Sequence, residues 1–105
     1  MARSLVTGGF GFIGRFLTQQ LLESGDSVLL LDITRDEAFL ERLDGDVKAV
    51  RGSVANWADV MEAFLAFKPD RVFHSGALLP PASESSPYTS FQANIAGTFN
   101  VLEVA

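Results

Sequence analysis

Apolar and polar positions along this chain fall into blocks that switch between two spacings. Short apolar runs occupy Ser4 to Thr7, Ser27 to Asp32, Val47 to Val50 and Arg71 to Ser75, and runs of that length with little polar alternation predict strands covered on both faces. Between them the apolar residues recur at helical spacing. A first helix, about Phe12 to Ser24, is expected to place Ile13, Phe16, Leu17, Gln20 and Leu21 on its packed side. A short second one, about Asp36 to Leu43, carries Ala38, Phe39, Leu40 and Leu43. A third, about Trp57 to Phe67, is expected to bury Val60, Met61, Phe64, Leu65 and Phe67. Phe91, Ile95, Phe99 and Leu102 recur at i, i+4, i+8 and i+11, the stripe of a final helix. Gly25-Asp26, Asp44-Gly45-Asp46 and Lys68-Pro69-Asp70 punctuate the pattern. The aromatic stripes read as core. The serine- and proline-rich stretch from Pro80 to Pro87 is too short to link two domains.

Alternating strands and helices with short connections imply an α/β fold, because each right-handed crossover returns the chain to a parallel neighbour. Four such units over residues 1–105 make a single domain, half of a doubly wound fold. Its parallel sheet is expected in the order 3-2-1-4 with helices on both faces. Ligands of such sheets sit at the carboxyl ends of the strands, beside the point where the order reverses.

The residues at that place in the first unit are Thr7-Gly8-Gly9-Phe10-Gly11-Phe12-Ile13-Gly14. Gly8 lets the chain turn off the strand, Gly11 admits phosphates without a Cβ in the way, and Gly14 permits close helix packing. The amides of Gly11, Phe12 and Ile13 then lie at a helix N-terminus, where unpaired donors and the positive dipole end suit a pyrophosphate. The second strand ends in Asp32, 18 residues beyond Gly14. A carboxylate there accepts both ribose hydroxyls and repels a 2′-phosphate, which argues for NAD. Arg35 lies three residues on, where it would offset Asp32 and take a phosphate, so NAD against NADP stays open.

Composition narrows the partners. A chain of 105 residues buries roughly 60–70% of the surface it exposes when unfolded, so the core is modest. The formal net charge of −5 leaves no basic footprint for nucleic acid. The chain has no cysteine and one histidine, which speaks against disulfides and a metal site. The apolar run at the N-terminus is too short for a secretory signal or a membrane span, and a cytoplasmic location is expected.

Thr7 to Gly14, Leu31-Asp32, Phe73-His74-Ser75-Gly76-Ala77 and Asn94 to Glu103 stand in the order and spacing of a known family. Over nearly its whole length the chain resembles the extended short-chain dehydrogenase/reductases, the NAD-dependent epimerase/dehydratases that act largely on nucleotide sugars with a Rossmann fold. The resemblance implies that Gly8, Gly11, Phe12, Ile13 and Gly14 form the pyrophosphate turn and that Asp32 holds the adenine ribose. Ser53 and Val54 would line the adenine pocket, although the family commonly has an aspartate in place of Ser53. Ser75, Gly76 and Ala77 match the small residues that pass close to the central ribose and phosphates. His74 matches a histidine that supports this loop, a hydrogen-bonding role and not an acid or base. Asn94 either steadies the fourth-strand region or faces solvent. Ser83, Ser85 and Ser86 read as an ordinary polar loop.

The family's chemistry rests on a tyrosine with a lysine four residues later, whose charge lowers the phenol pKa from about 10. The one tyrosine is Tyr88, and four residues on is Gln92. The lysines, Lys48 and Lys68, lie elsewhere, so no catalytic residue is assigned. Three readings follow: the NAD-binding N-terminal half of an epimerase/dehydratase-type oxidoreductase, inactive by itself; a non-catalytic dinucleotide-binding or sensor module; and a self-associating half-fold. Self-association is expected through an open edge of the fourth strand, as a homo-oligomer or with a complementing chain. No nucleic acid, membrane or metal partner is expected.

Overall fold

Each apolar run alternates two ways, and that alternation divides the core. The computed structural model describes residues 2–75 and 97–104. β1 (Arg3–Thr7), β2 (Ser27–Asp32), β3 (Val47–Arg51) and β4 (Arg71–His74) form one parallel sheet in the order β3-β2-β1-β4. Helices α1 (Phe12–Glu23), α2 (Glu37–Glu41) and α3 (Trp57–Phe67) connect the strands, and α4 spans Gly97–Val104. Successive strand residues point to opposite faces. Leu5, Leu29 and Leu31 thus meet Val54, Val60, Ala63 and Val101 on the α3 and α4 side. Val6, Val28 and Leu30 meet Phe10, Leu21 and Phe39 on the α1 and α2 side.

Helix ends follow local chemistry. The Asn56 side chain accepts the amides of Ala58 at 2.9 Å and Asp59 at 3.3 Å and starts α3. Asp36 accepts the Phe39 amide at 3.0 Å and starts α2. Lys68, at φ 53°, ends α3, and Pro69 prevents its continuation. At the amino ends of the strands the buried Asp26 carboxylate binds the Ala2 amide at 3.2 Å, the Ser4 hydroxyl at 2.9 Å and the Arg71 guanidinium. These contacts tie β1 and β4 to the start of β2.

The packed faces of all four helices differ in part from the sequence expectation. α1 buries Gly14, Thr18 and Leu21, while Ile13 is 57% and Phe16 62% exposed, and Gln20 faces solvent. The reason lies in the turn: a Cβ on Gly14 would stand 2.1 Å from the Gly8 carbonyl oxygen, so Gly14 is the contact point and sets the helix rotation. In α3 Val60 and Ala63 are buried and Leu65 is exposed. In α4 Val101 enters the core and Leu102 does not. Ala38 of α2 is exposed, beside a buried Phe39. Phe91 and Ile95 lie outside the described residues, as does the side chain of Phe99.

Candidate functional site

Parallel pairing with matched register brings the carboxyl ends of the strands to one edge. Thr7 pairs with Leu31 and with His74, and Asp32 pairs with Arg51. The residues at and just past those ends therefore gather along one edge of the sheet. They are the glycine turn, Asp32, Ser53 and Ser75. Gly76 and Ala77 lie outside the described residues, as do Ser83, Ser85, Ser86, Tyr88 and Asn94.

The glycine turn leaves β1 at Gly8, whose amide donates to the Leu31 carbonyl at 2.8 Å and whose φ is 67°. That left-handed value favours glycine. Gly14 packs against the backbone of Gly8 and Gly9, so its lack of a Cβ serves the turn more than the sheet. Gly9 carries a constraint that sequence reading missed: a Cβ there would stand 2.7 Å from the Leu30 side chain. The Gly11 amide is a correction to the set of open donors. It closes the turn onto the Gly8 carbonyl at 3.0 Å, which satisfies it internally. α1 begins at Phe12, and its N-cap, Gly11, offers no side chain to cap it. The donors of Phe12 and Ile13 are thus the ones left at the helix start, where the macrodipole is positive. Phe12 is 92% exposed, and Gly11 is exposed beside it.

Asp32 reaches back to the same turn. Its Oδ2 accepts the Phe10 amide at 3.0 Å, and its Oδ1 accepts the Thr34 amide at 3.1 Å and the Thr34 hydroxyl at 3.3 Å. Two loops therefore fix one half-buried carboxylate. Arg15, which the sequence reading did not single out, locks the arrangement from below: Nε donates to the Phe10 carbonyl at 2.7 Å and Nη2 pairs with Asp36 at 2.7 Å. Its guanidinium also lies 4.7 Å from the centroid of the Phe39 ring. The Arg15 guanidinium and the Phe39 amide hold the Asp36 carboxyl below the ordinary range.

After β3, the Ser53 amide donates to Asp59 at 2.9 Å and its hydroxyl accepts the Ala55 amide at 3.1 Å. Val54 is buried and packs in the core cluster beside this turn. Gly52 and Asp59 are further residues missed in the sequence. A Cβ on Gly52 would stand 3.0 Å from Leu31 and 3.1 Å from Asp59, and a glycine directly after a strand was the available signal.

At the switch point, Ser75 seals β4 to β1. Its amide and hydroxyl donate to the Thr7 carbonyl at 3.2 Å and 2.6 Å. His74 bridges the Thr7 hydroxyl at 2.6 Å and the Thr98 hydroxyl at 2.8 Å, joining β1, β4 and α4. Burial lowers its pKa. Both ring nitrogens are engaged by hydroxyls, which is the supporting role expected of it.

A cavity of about 430 Å³ opens elsewhere, between β3 and α3, lined among others by Lys48, Val50, Glu62 and Phe67. None of the glycine turn, Asp32 or Ser75 lines it, so volume alone does not mark the crevice. Among the described residues no helix is long and apolar enough to cross a membrane, and no group of three or more His, Cys, Asp or Glu residues is placed to hold a metal ion.

Residues 4–105 match the family described as NAD dependent epimerase/dehydratase. The chain is 30% identical to the CDP-paratose 2-epimerase of Salmonella typhi, over 94% of this chain and 31% of that protein. Its structure superposes on the Thermus thermophilus UDP-glucose 4-epimerase solved with NAD, with a TM-score of 0.84, 33% identity, and coverage of 97% of this chain and 33% of the other. The Bordetella bronchiseptica enzyme WbmG, solved with NAD and UDP, gives a TM-score of 0.87 at 30% identity, over 99% and 33%. The chain thus spans about a third of the length of the relatives it matches.

Proposed function

Because this chain belongs to the NAD-dependent epimerase/dehydratase family, we propose that its 105 residues are the NAD-binding portion of an oxidoreductase of that kind, acting in complete form on a nucleotide sugar. The observation that carries the reading is the Asp32 carboxylate, held by the Phe10 amide at the lip of a glycine turn. One loop pair then presents donors for a diphosphate and acceptors for a ribose diol. The fit of the residues to NAD rests on the uncapped start of α1 and the exposed Gly11. Gly8, Gly11, Phe12, Ile13 and Gly14 would surround the pyrophosphate, and Asp32 would accept the ribose hydroxyls. Ser53 and Val54 would border the adenine, with Ser75, Gly76 and Ala77 close to the central ribose and phosphates. A bound nicotinamide supplies a hydride acceptor for a carbinol carbon. No residue of this chain is assigned the acid–base step, since Tyr88 has Gln92 and no lysine four residues on.

The test is a thermal-shift titration with NAD on the wild type and on Asp32→Ala. Ligand that binds only the folded state raises its stability by about 2.7 kcal/mol at one hundred times Kd. Saturable stabilisation of the wild type, strongly reduced in Asp32→Ala, is expected. Equal melting with and without NAD overturns the reading.

Self-association belongs to the same proposal. Among the described residues β4 pairs only with β1, and its outer edge is the place where a further strand adds. Sedimentation velocity across a concentration series is expected to show dimers, and a single monomer boundary throughout removes this part.

A further inference from the structure

The loop after β2 contains one cation, Arg35, whose partners are Glu37 and the β3 backbone. Arg35 follows Asp32 by three residues, close enough in sequence for a guanidinium to serve a phosphate on the 2′-oxygen. In the structure it does something else. Its Nε pairs with the Glu37 carboxylate, and its Nη1 donates to the Ala49 carbonyl of β3 at 2.9 Å. Of the other arginines of this region, Arg15 is taken by Asp36 and the Phe10 carbonyl, and Arg51 stands opposite Asp32 in the β2–β3 register. Among the described residues the Asp32 carboxyl accepts from two amides and a hydroxyl and has no guanidinium hydrogen-bonded to it.

We propose that Glu37 is a positioning residue for cofactor choice: by holding Arg35 against β3 it keeps the guanidinium off the ribose pocket, so that Asp32 selects a 2′-hydroxyl and rejects a 2′-phosphate. The inference rests on the NAD reading above. Its physical basis is that Arg recognises phosphate through a planar fork of donors, and an arginine near this ribose accommodates a 2′-phosphate. A guanidinium with Nε on a carboxylate and Nη1 on a carbonyl has its charge partly offset and two edges of its donor fork already used. The side chains of Arg35 and Glu37 are 37% and 63% exposed, so the latch is modest. Exposed pairs of this kind contribute up to about 1 kcal/mol, which corresponds to about a fivefold change in an affinity ratio.

Calorimetric titration of NAD and NADP into the wild type, Glu37→Ala and the double variant Arg35→Ala/Glu37→Ala tests it. The preference for NAD over NADP is expected to fall about fivefold in Glu37→Ala and to return when Arg35 is also removed. A preference unchanged in Glu37→Ala overturns the inference. So does a gain in NADP affinity that survives in the double variant, since it would come from the lost carboxylate alone. A wild type that binds NAD with either of those results leaves the cofactor reading standing, whereas a wild type that binds neither nucleotide overturns that reading and this inference with it.

Discussion

Gly14 and Gly11 look alike in the sequence and are constrained for opposite reasons. A Cβ on Gly14 would lie 2.1 Å from a backbone oxygen and 2.7 Å from the Gly9 Cα, and backbone cannot swing aside as a side chain can. Gly14→Ala is expected to cost about 3 kcal/mol, the upper end for overpacking, read as a fall in urea midpoint. A Cβ on Gly11 would meet only the Gly8 oxygen, at 3.3 Å. Gly11→Ala is therefore expected to stay within about 1 kcal/mol of the wild type while weakening NAD-dependent stabilisation. Equal destabilisation of the two variants would show that both glycines serve packing. Asp32 was legible at this scale because it ends an apolar run. Its Phe10 and Thr34 partners were not, since neither side chain type announces a backbone amide.

At the scale of the element, α1 shows how a single contact overrides a hydrophobic pattern. Apolar spacing favoured a face through Ile13, Phe16 and Leu21, but the touching point at Gly14 turns the helix so that Thr18 and Leu21 follow it inward. Thr18 is tolerated there because its hydroxyl donates to the Gly14 carbonyl at 2.7 Å. Leu21→Ala is expected to cost about 2–5 kcal/mol, whereas Phe16→Ser is expected to stay within about 0.5 kcal/mol. Chemical denaturation of both variants decides it, and a large loss in Phe16→Ser would restore the face drawn from spacing. The same lesson holds in α3 and α4, where the small Ala63 and Val101 are buried while Leu65 and Leu102 are exposed.

For the whole molecule, polar ties at the two ends of the sheet respond to acid in separate windows. At the amino end burial raises the Asp26 pKa, but the Ser4 hydroxyl, the Ala2 amide and the Arg71 guanidinium outweigh it and leave the carboxyl below its ordinary 3.8. Its contribution is complete above the unfolded value and is lost as pH falls through the folded one. At the carboxyl end burial lowers the His74 pKa from 6.5. The fold thus favours the neutral ring, and this contribution is full above the unfolded value and lost as pH falls from there through the folded value. His74 is the only histidine in the chain. A fall in Tm as pH drops below about 6.5 is accordingly expected in the wild type and flattened in His74→Gln. An identical pH profile in His74→Gln would break the link to this residue.

By itself the sequence determined the strands, the sheet order 3-2-1-4 and the edge on which the glycine turn, Asp32 and Ser75 gather. Unbroken apolar runs, short right-handed crossovers and glycine at a strand end leave one arrangement that buries the runs on both faces. Tertiary structure alone decided the helix rotations, the closure of the Gly11 amide onto Gly8, the Arg15 lock and the direction in which Arg35 points. Those depend on contacts as near as Gly8 to Gly11 and as distant as Arg15 to Asp36 or Arg35 to Ala49, set by steric contact and hydrogen-bond geometry that the spacing of apolar residues does not encode.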